Sequence, residues 1–238
     1  MPNPPKDWIE LLPTDHCIAE FSIWSANLMN LSADLERISP HADILHLDVA
    51  DGHFAPALLI FPDMVAALRE ETGLPLHIHL MVADRVLLSQ IEQFAEAGAD
   101  LISFHVENKA VADNAFALLE QLHVPAGLVA RVETPLSTFK PFIEHIRFLT
   151  LLGTAIGVKG QGLDAAAPAR LGEAQSLIAN RESEKRCVLA ADGGIREHTV
   201  PNLVAAGAET VVLGSLAFGA DDLQARMSWL AGLQGPND

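Results

Sequence analysis

Ile44-Leu45-His46-Leu47-Asp48-Val49-Ala50-Asp51-Gly52-His53-Phe54 is an apolar run that carries a histidine and an aspartate two residues apart and breaks at Asp51-Gly52. In a strand, side chains alternate between faces, so His46 and Asp48 point the same way. Both stand just before the turn, at the carboxyl end, where a parallel α/β protein places its chemistry. A second stretch, Cys187-Val188-Leu189-Ala190-Ala191-Asp192-Gly193-Gly194, repeats the form: an apolar strand ends in aspartate and glycine. The fold must decide whether Asp48 and Asp192 meet across one site.

Strand-like and helix-like segments alternate through the chain. The strands are expected at Cys17–Ser22, Ile44–Ala50, Leu76–Val82, Leu101–Glu107, Ala126–Arg131, Phe148–Gly153, Cys187–Asp192 and Thr210–Ser215. Helical patterns lie at Ser32–Ile38, Pro62–Glu71, Arg85–Ala97, Ala110–Leu122, Leu136–His145, Ala165–Asn180, Thr199–Ala206 and Asp221–Leu233. Val86, Leu87, Ile91, Phe94 and Ala95 show the helical spacing clearly. Eight strand–helix units predict a closed (β/α)8 barrel, a TIM barrel, as one α/β domain over residues 17–238. An open doubly wound sheet would carry a dinucleotide glycine fingerprint after its first strand, and none follows Ser22. Residues 1–16 are Pro-rich and read as an N-terminal extension with one short turn around Trp8–Leu12. Ala97-Gly98-Ala99-Asp100 and Ala206-Gly207-Ala208-Glu209 recur before two strands. They fit either related barrel halves or a repeated helix cap.

The 238 residues, half of them hydrophobic, suffice for a large core. No apolar run approaches the ~18 residues of a membrane span. The start, with Asp7 and Glu10, has no apolar signal core, and the only cysteines, Cys17 and Cys187, are far apart. A reduced, cytoplasmic setting is expected. A formal charge of -16 disfavours nucleic acid and anionic membranes as partners.

His46, Asp48, His79 and Asp192 are candidate ligands of one divalent metal ion. Neutral imidazole and carboxylate oxygen together suit Zn²⁺, Mn²⁺, Fe²⁺ or Co²⁺. The alternative is a hydrogen-bonded polar barrel interior. Glycines mark a second feature. Asp192-Gly193-Gly194, Leu213-Gly214-Ser215 and Gly157-Val158-Lys159-Gly160-Gln161-Gly162 follow strands seven, eight and six. Loops there can hold a phosphate on backbone N–H groups, and glycine permits close approach; ordinary tight turns are the alternative. Ser22 can hydrogen-bond a substrate oxygen, and Met81 can present a soft apolar surface. His77 sits one pleat deeper, and His105 and Glu107 are expected as a supporting pair on strand four. Arg131 and Lys159 are extra cations near the expected phosphate end, as substrate contacts or as surface charge.

Ser22-Ile23-Trp24-Ser25-Ala26, His46-Leu47-Asp48-Val49-Ala50-Asp51-Gly52-His53-Phe54-Ala55-Pro56, His79-Leu80-Met81-Val82, Asp192-Gly193-Gly194-Ile195 and Gly214-Ser215 resemble the ribulose-phosphate 3-epimerase family, in register from about Ile18 to Gly219. The resemblance implies that His46, Asp48, His79 and Asp192 are metal ligands and that Asp48 and Asp192 are the acid/base pair. It implies that Ser22, His79 and Met81 meet substrate, and that Gly193, Gly194, Gly214 and Ser215 cradle its phosphate. Gly157, Gly160 and Gln161 align with the family's loop after strand six. A small sugar phosphate as partner and a homo-oligomer, dimer or higher, are likewise implied. The expected reaction is metal-dependent 3-epimerisation of ribulose 5-phosphate or a related ketose phosphate, by proton transfer between two aspartates through an enediolate. A sugar-phosphate lyase or decarboxylase, or a non-catalytic phosphate-binding homologue, is the alternative. A lyase of this kind usually places a lysine among the strand-end carboxylates, and strands two, three, four and seven carry none. The chain departs from the family's pattern at several positions. Ala50 stands for methionine, Phe21 for proline, Asn27 for aspartate, Ala57 for asparagine, and Ala190 for an acidic residue. Arg131-Val132 stands for an Asn-Pro or Lys-Pro end, and Lys159 lies in a loop without the usual Pro-Gly-Phe.

Overall fold

Eight parallel strands close in sequence order, β1 to β8, with β8 returning to β1. They are β1 Ile18–Ser22, β2 Ile44–Ala50, β3 Leu76–Met81, β4 Leu101–His105, β5 Ala126–Ala130, β6 Phe148–Leu152, β7 Val188–Asp192 and β8 Thr210–Leu213. The helices are α1 Leu31–Ile38, α2 Pro62–Glu71, α3 Asp84–Glu96, α4 Ala112–Gln121, α5 Ala167–Ala179, α6 Val200–Ala205, α7 Ser215–Phe218 and α8 Leu223–Ala231. This computed structural model describes residues 3–233, so Met1 and Pro2 of the expected extension and the last five residues of the expected domain lie outside the described residues. The (β/α)8 barrel expected from the alternating pattern is therefore the fold. Among the described residues, no helix is long and apolar enough to cross a membrane.

Strand alternation divides the barrel into two cores. Leu45, Leu47 and Val49 of β2 join the core between strands and helices, where α3 buries Leu87, Ile91 and Phe94 at helical spacing. The inward residues stack in layers. The lowest layer is apolar: Ile18, Ile44, Leu101, Phe148 and Val188 pack with Trp8, Ile9 and Leu12. The N-terminal segment thus plugs the lower mouth. Arg186 fastens it, donating to Leu12 O (2.7 Å) and Pro13 O (2.8 Å), and Arg147 donates to Glu10 Oε1 (2.6 Å). Trp8 lies against the Phe148 ring at 6.2 Å between centroids. We expect Trp8→Ala to cost about 3–5 kcal/mol, the cavity and the lost transfer energy of a buried aromatic. The urea midpoint checks this, and an unchanged midpoint would show that the segment is only draped over the barrel.

The largest difference from the sequence reading is the expected helix at Leu136–His145. Only a 3-10 turn, Leu136–Phe139, forms, followed by further turns. Pro141 has no N–H for Ser137 O, which accepts from Lys140 instead (3.2 Å). β4 ends at His105, with Val106–Asn108 a 3-10 turn, and Ser215 opens α7 rather than closing β8. The Ala97-Gly98 and Ala206-Gly207 phrases close α3 and α6, as caps do.

Candidate metal centre and substrate cavity

Register brings the polar residues together. Asp48 of β2 stands opposite His79 of β3, and His46 opposite both Ser22 and His77. Asp48 Oδ1 lies 3.2 Å from His46 Nε2 and 3.2 Å from His79 Nδ1. His79 Nδ1 is 3.9 Å from Asp192 Oδ2. One donor atom from each of His46, Asp48, His79 and Asp192 falls within 4.8 Å of the others. Bonds of about 2.0–2.2 Å to a common ion put neighbouring ligand atoms about 3–3.5 Å apart. Two imidazole nitrogens and two carboxylate oxygens at these spacings fit one divalent ion.

The other nitrogens of both imidazoles are held. His46 Nδ1 faces Glu20 Oε1 at 2.7 Å. His79 Nε2 is 3.0 Å from His105 Nε2, and His105 Nδ1 is 3.0 Å from Glu107 Oε2. Glu107 has left the strand, but the 3-10 turn brings its carboxylate back to His105. It also accepts from Arg131 N (3.1 Å) and from the Thr134 hydroxyl. Burial holds the His105 imidazole down at about 4. Burial raises the Glu107 carboxyl, but the His105 and Thr134 hydrogen bonds outweigh it and hold it at about 2.

The two aspartates are pushed apart. Burial raises Asp48, yet His46 and His79 outweigh it and keep the carboxyl well below the usual range. Burial, with the Asp48 charge adding to it, lifts Asp192 to about 6 despite His46 and His79. A bound cation would draw both down. Strongly perturbed carboxyls at the end of a barrel are a mark of a reaction site.

A cavity of about 330 Å³ opens above this cluster. Ser22, Asp48, His79, Met81, Gly157, Gly160, Gln161, Asp192, Gly193, Gly194, Gly214 and Ser215 all line it, while His46 lies beneath its floor. Ser22 Oγ donates to Asp48 Oδ2 (3.0 Å), so its hydroxyl already steadies the aspartate. Met81 packs with Ala50 and Ala55, and Phe54 and Ile156 close on them. The apolar cap therefore persists although Ala50 is short. Gly193 and Gly194 adopt φ +87° and +71°. A Cβ on Gly194 would stand 2.8 Å from the Leu163 Cα, a backbone atom that cannot swing away. We expect Gly194→Ala to cost about 1–2 kcal/mol from the left-handed backbone alone. It should also raise KM for a phosphorylated substrate; unchanged melting and KM would contradict this placement.

Arg131 does not line the cavity. Its guanidinium covers the Phe54 ring at 4.2 Å and donates to Phe54 O (3.0 Å), which braces the loop after β2. Lys159 does line it, with Nζ 2.6 Å from Trp24 O and 4.6 Å from the Trp24 ring centre. Sequence reasoning missed Glu20, fully buried beneath the centre, and the cavity residues Thr154 and Arg196. Glu20 had a legible signal: a charged residue inside an apolar strand, two residues before Ser22 and so on its face.

A parallel barrel whose strand ends carry an imidazole–carboxylate cluster under a cavity is the frame of a (β/α)8-barrel enzyme. The chain belongs to the ribulose-phosphate 3-epimerase family, whose family model matches residues 18–218. It is accordingly an isomerase of the epimerase type. The ribulose-phosphate 3-epimerase of Bacillus subtilis (strain 168) is 32% identical over 214 residues, covering 89% of this chain and 96% of that one. That of Aquifex aeolicus (strain VF5) is 33% identical over 192 residues, covering 81% and 85%. The 3-keto-L-gulonate-6-phosphate decarboxylase structure from Vibrio cholerae superposes with TM-score 0.66 at 13% identity, covering 90% of this chain and 99% of that one. At that identity the likeness concerns the barrel alone.

Proposed function

We propose that the chain is a metal-dependent ketose-phosphate 3-epimerase, acting on ribulose 5-phosphate or a closely related ketose phosphate. The observation that carries this reading is the pair Asp48 and Asp192, which line one cavity from β2 and β7 with His79 between them. Epimerisation next to a ketone needs a proton taken from one face of the carbon and another returned to the opposite face. Two carboxylates alternating as base and acid can do this. His46, Asp48, His79 and Asp192 would hold the ion, which when bound would stabilise the negative charge that develops on the substrate oxygens.

Within this reading Asp48 and Asp192 carry the protons. Ser22 orients Asp48, and Met81 with Ile156 and Phe54 keeps water from the reacting carbon. Gly193, Gly194, Gly214 and Ser215 would take the phosphate, with Gly157, Gly160 and Gln161 closing from the loop after β6. Holding the phosphate fixes the sugar at a distance from the chemistry, where binding energy reduces the entropic barrier. Strands β2, β3, β4 and β7 carry no lysine, the residue a lyase reading needs there; Lys159 reaches the cavity only from the loop after β6. The family resemblance supports a cytoplasmic location and a dimer or larger homo-oligomer.

The test is a panel of four-, five- and six-carbon ketose phosphates, offered to the protein loaded in turn with zinc, manganese, iron or cobalt. Inversion at C3 of one of them, with the highest kcat/KM, is expected. Failure to invert any, with every metal, would overturn the proposal.

A further inference from the structure

Glu20 is fully buried in the barrel interior, and among the described residues no lysine or arginine pairs with it. Its Oε1 lies 2.7 Å from His46 Nδ1 and 2.6 Å from His77 Nδ1, and its Oε2 lies 3.4 Å from the Thr210 hydroxyl. Burying an ionised carboxylate is costly unless its surroundings compensate, and an apolar side chain would fill the space more cheaply. The position therefore asks for a reason beyond packing.

The distances separate two uses of the same residue types. Around the proposed ion, Asp48 Oδ1 stands 3.2 Å from His46 Nε2 and from His79 Nδ1, and His79 Nδ1 stands 3.9 Å from Asp192 Oδ2, spacings that ligands on a common centre can take up. Glu20, His46 and His77 also come close enough to ligate an ion. Yet their contacts of 2.6–2.7 Å are those of charge-assisted hydrogen bonds, shorter than neighbouring ligands allow. Two ring nitrogens facing one oxygen are both satisfied only if each brings its proton. His46 then carries hydrogen on Nδ1 and turns the Nε2 lone pair toward Asp48. His77 carries hydrogen on Nδ1, and its Nε2 accepts from Ser103 Oγ (2.6 Å). Gly127 leaves the room: a Cβ there would run into the Ser103 hydroxyl.

The second ligand histidine repeats the arrangement at greater length, since His79 reaches the Glu107 carboxylate through His105. Resting on the metal reading above, we propose that Glu20 is the positioning residue for His46. It fixes the tautomer, the ring orientation and the donor strength of Nε2 toward a divalent cation, with His77 and Ser103 holding Glu20 in turn. A carboxylate behind a ligating imidazole typically contributes about 10–100-fold in metal affinity.

The experiment uses the whole protein with Zn²⁺ as probe. Chelator competition measures affinity in the wild type and in Glu20→Gln, and nitrogen NMR of the imidazoles reads the His46 tautomer in the zinc-loaded wild type. We expect one zinc per chain, a proton on His46 Nδ1, and affinity about 10–100-fold weaker in the variant. A folded variant with wild-type affinity, or a wild-type His46 protonated on Nε2, overturns the positioning role alone. A second zinc lost in the variant also overturns it, because Glu20 would then be a ligand. Should the variant not fold, the wild-type tautomer decides. A wild type that takes up no zinc, manganese, iron or cobalt overturns the metal reading and this inference together.

Discussion

Asp192→Asn is expected to slow epimerisation by about 10³-fold or more while leaving half of the reaction intact. A carboxamide keeps the shape of the side chain and an oxygen for the centre, but it cannot take or return a proton. General acid–base catalysis by one such group is worth about 10²–10⁴-fold. Asp48, held by Ser22 Oγ and flanked by His46 and His79, remains able to take a proton from its own side. The variant should therefore exchange the C3 hydrogen of one epimer with solvent deuterium without inverting it. Asp48→Asn should exchange only the opposite epimer. Proton NMR of each epimer incubated separately in deuterated water reads both outcomes. The loss in Asp192→Asn should not come from unfolding. Burial and the Asp48 charge both work against an ionised Asp192, so removing its charge relieves strain in the metal-free protein. A variant epimerising at full rate would exclude Asp192 as a proton carrier.

Stripping the divalent ion is expected to abolish activity and to lower the melting temperature by about 5–10 °C. Asp48, Asp192 and Glu20 bring three carboxyl groups into one buried region, with imidazoles as their near partners. A bound cation would offset that crowding, and the ligand set that would hold it is assembled only in the folded chain. At a metal concentration about 100-fold above Kd the linkage is worth about 2.7 kcal/mol. For a chain of this size each kcal/mol moves Tm by about 2–4 °C. Dialysis against chelator, calorimetry, and readdition of zinc, manganese, iron or cobalt check both parts. Identical melting and undiminished activity after complete removal would contradict the ligand set.

The barrel was legible because its strands announce themselves by alternation. His46 and Asp48 point inward and Leu45, Leu47 and Val49 outward, as a period of two requires, and eight such units leave little room for another topology. The layered interior was less legible. Glu20 sits in Ile18–Ser22 on the face of Ser22, but only closure of the barrel shows that this isolated acid lies under the centre. Ala190 stands where the resembled family carries an acid. In this chain a buried carboxylate comes instead from β1, near Thr210, which pairs with Ala190 in register. The Leu136–His145 helix failed because one missing N–H at Pro141 outweighs an otherwise helical apolar pattern. Sequence alone leaves Arg131 open between substrate contact and surface charge, because it cannot show that a guanidinium will cover Phe54, 77 residues away. That Trp8, Ile9 and Leu12 of the N-terminal extension seal the lower mouth was not legible, because nothing local reveals it.

The most direct test of two-aspartate proton transfer is a single turnover of the best ketose phosphate in deuterated water. The account predicts that the inverted product carries one deuterium at C3, while unconverted substrate keeps its original hydrogen. Inverted product that keeps the substrate's own hydrogen at C3 would contradict it, because one group would then have moved that hydrogen between faces.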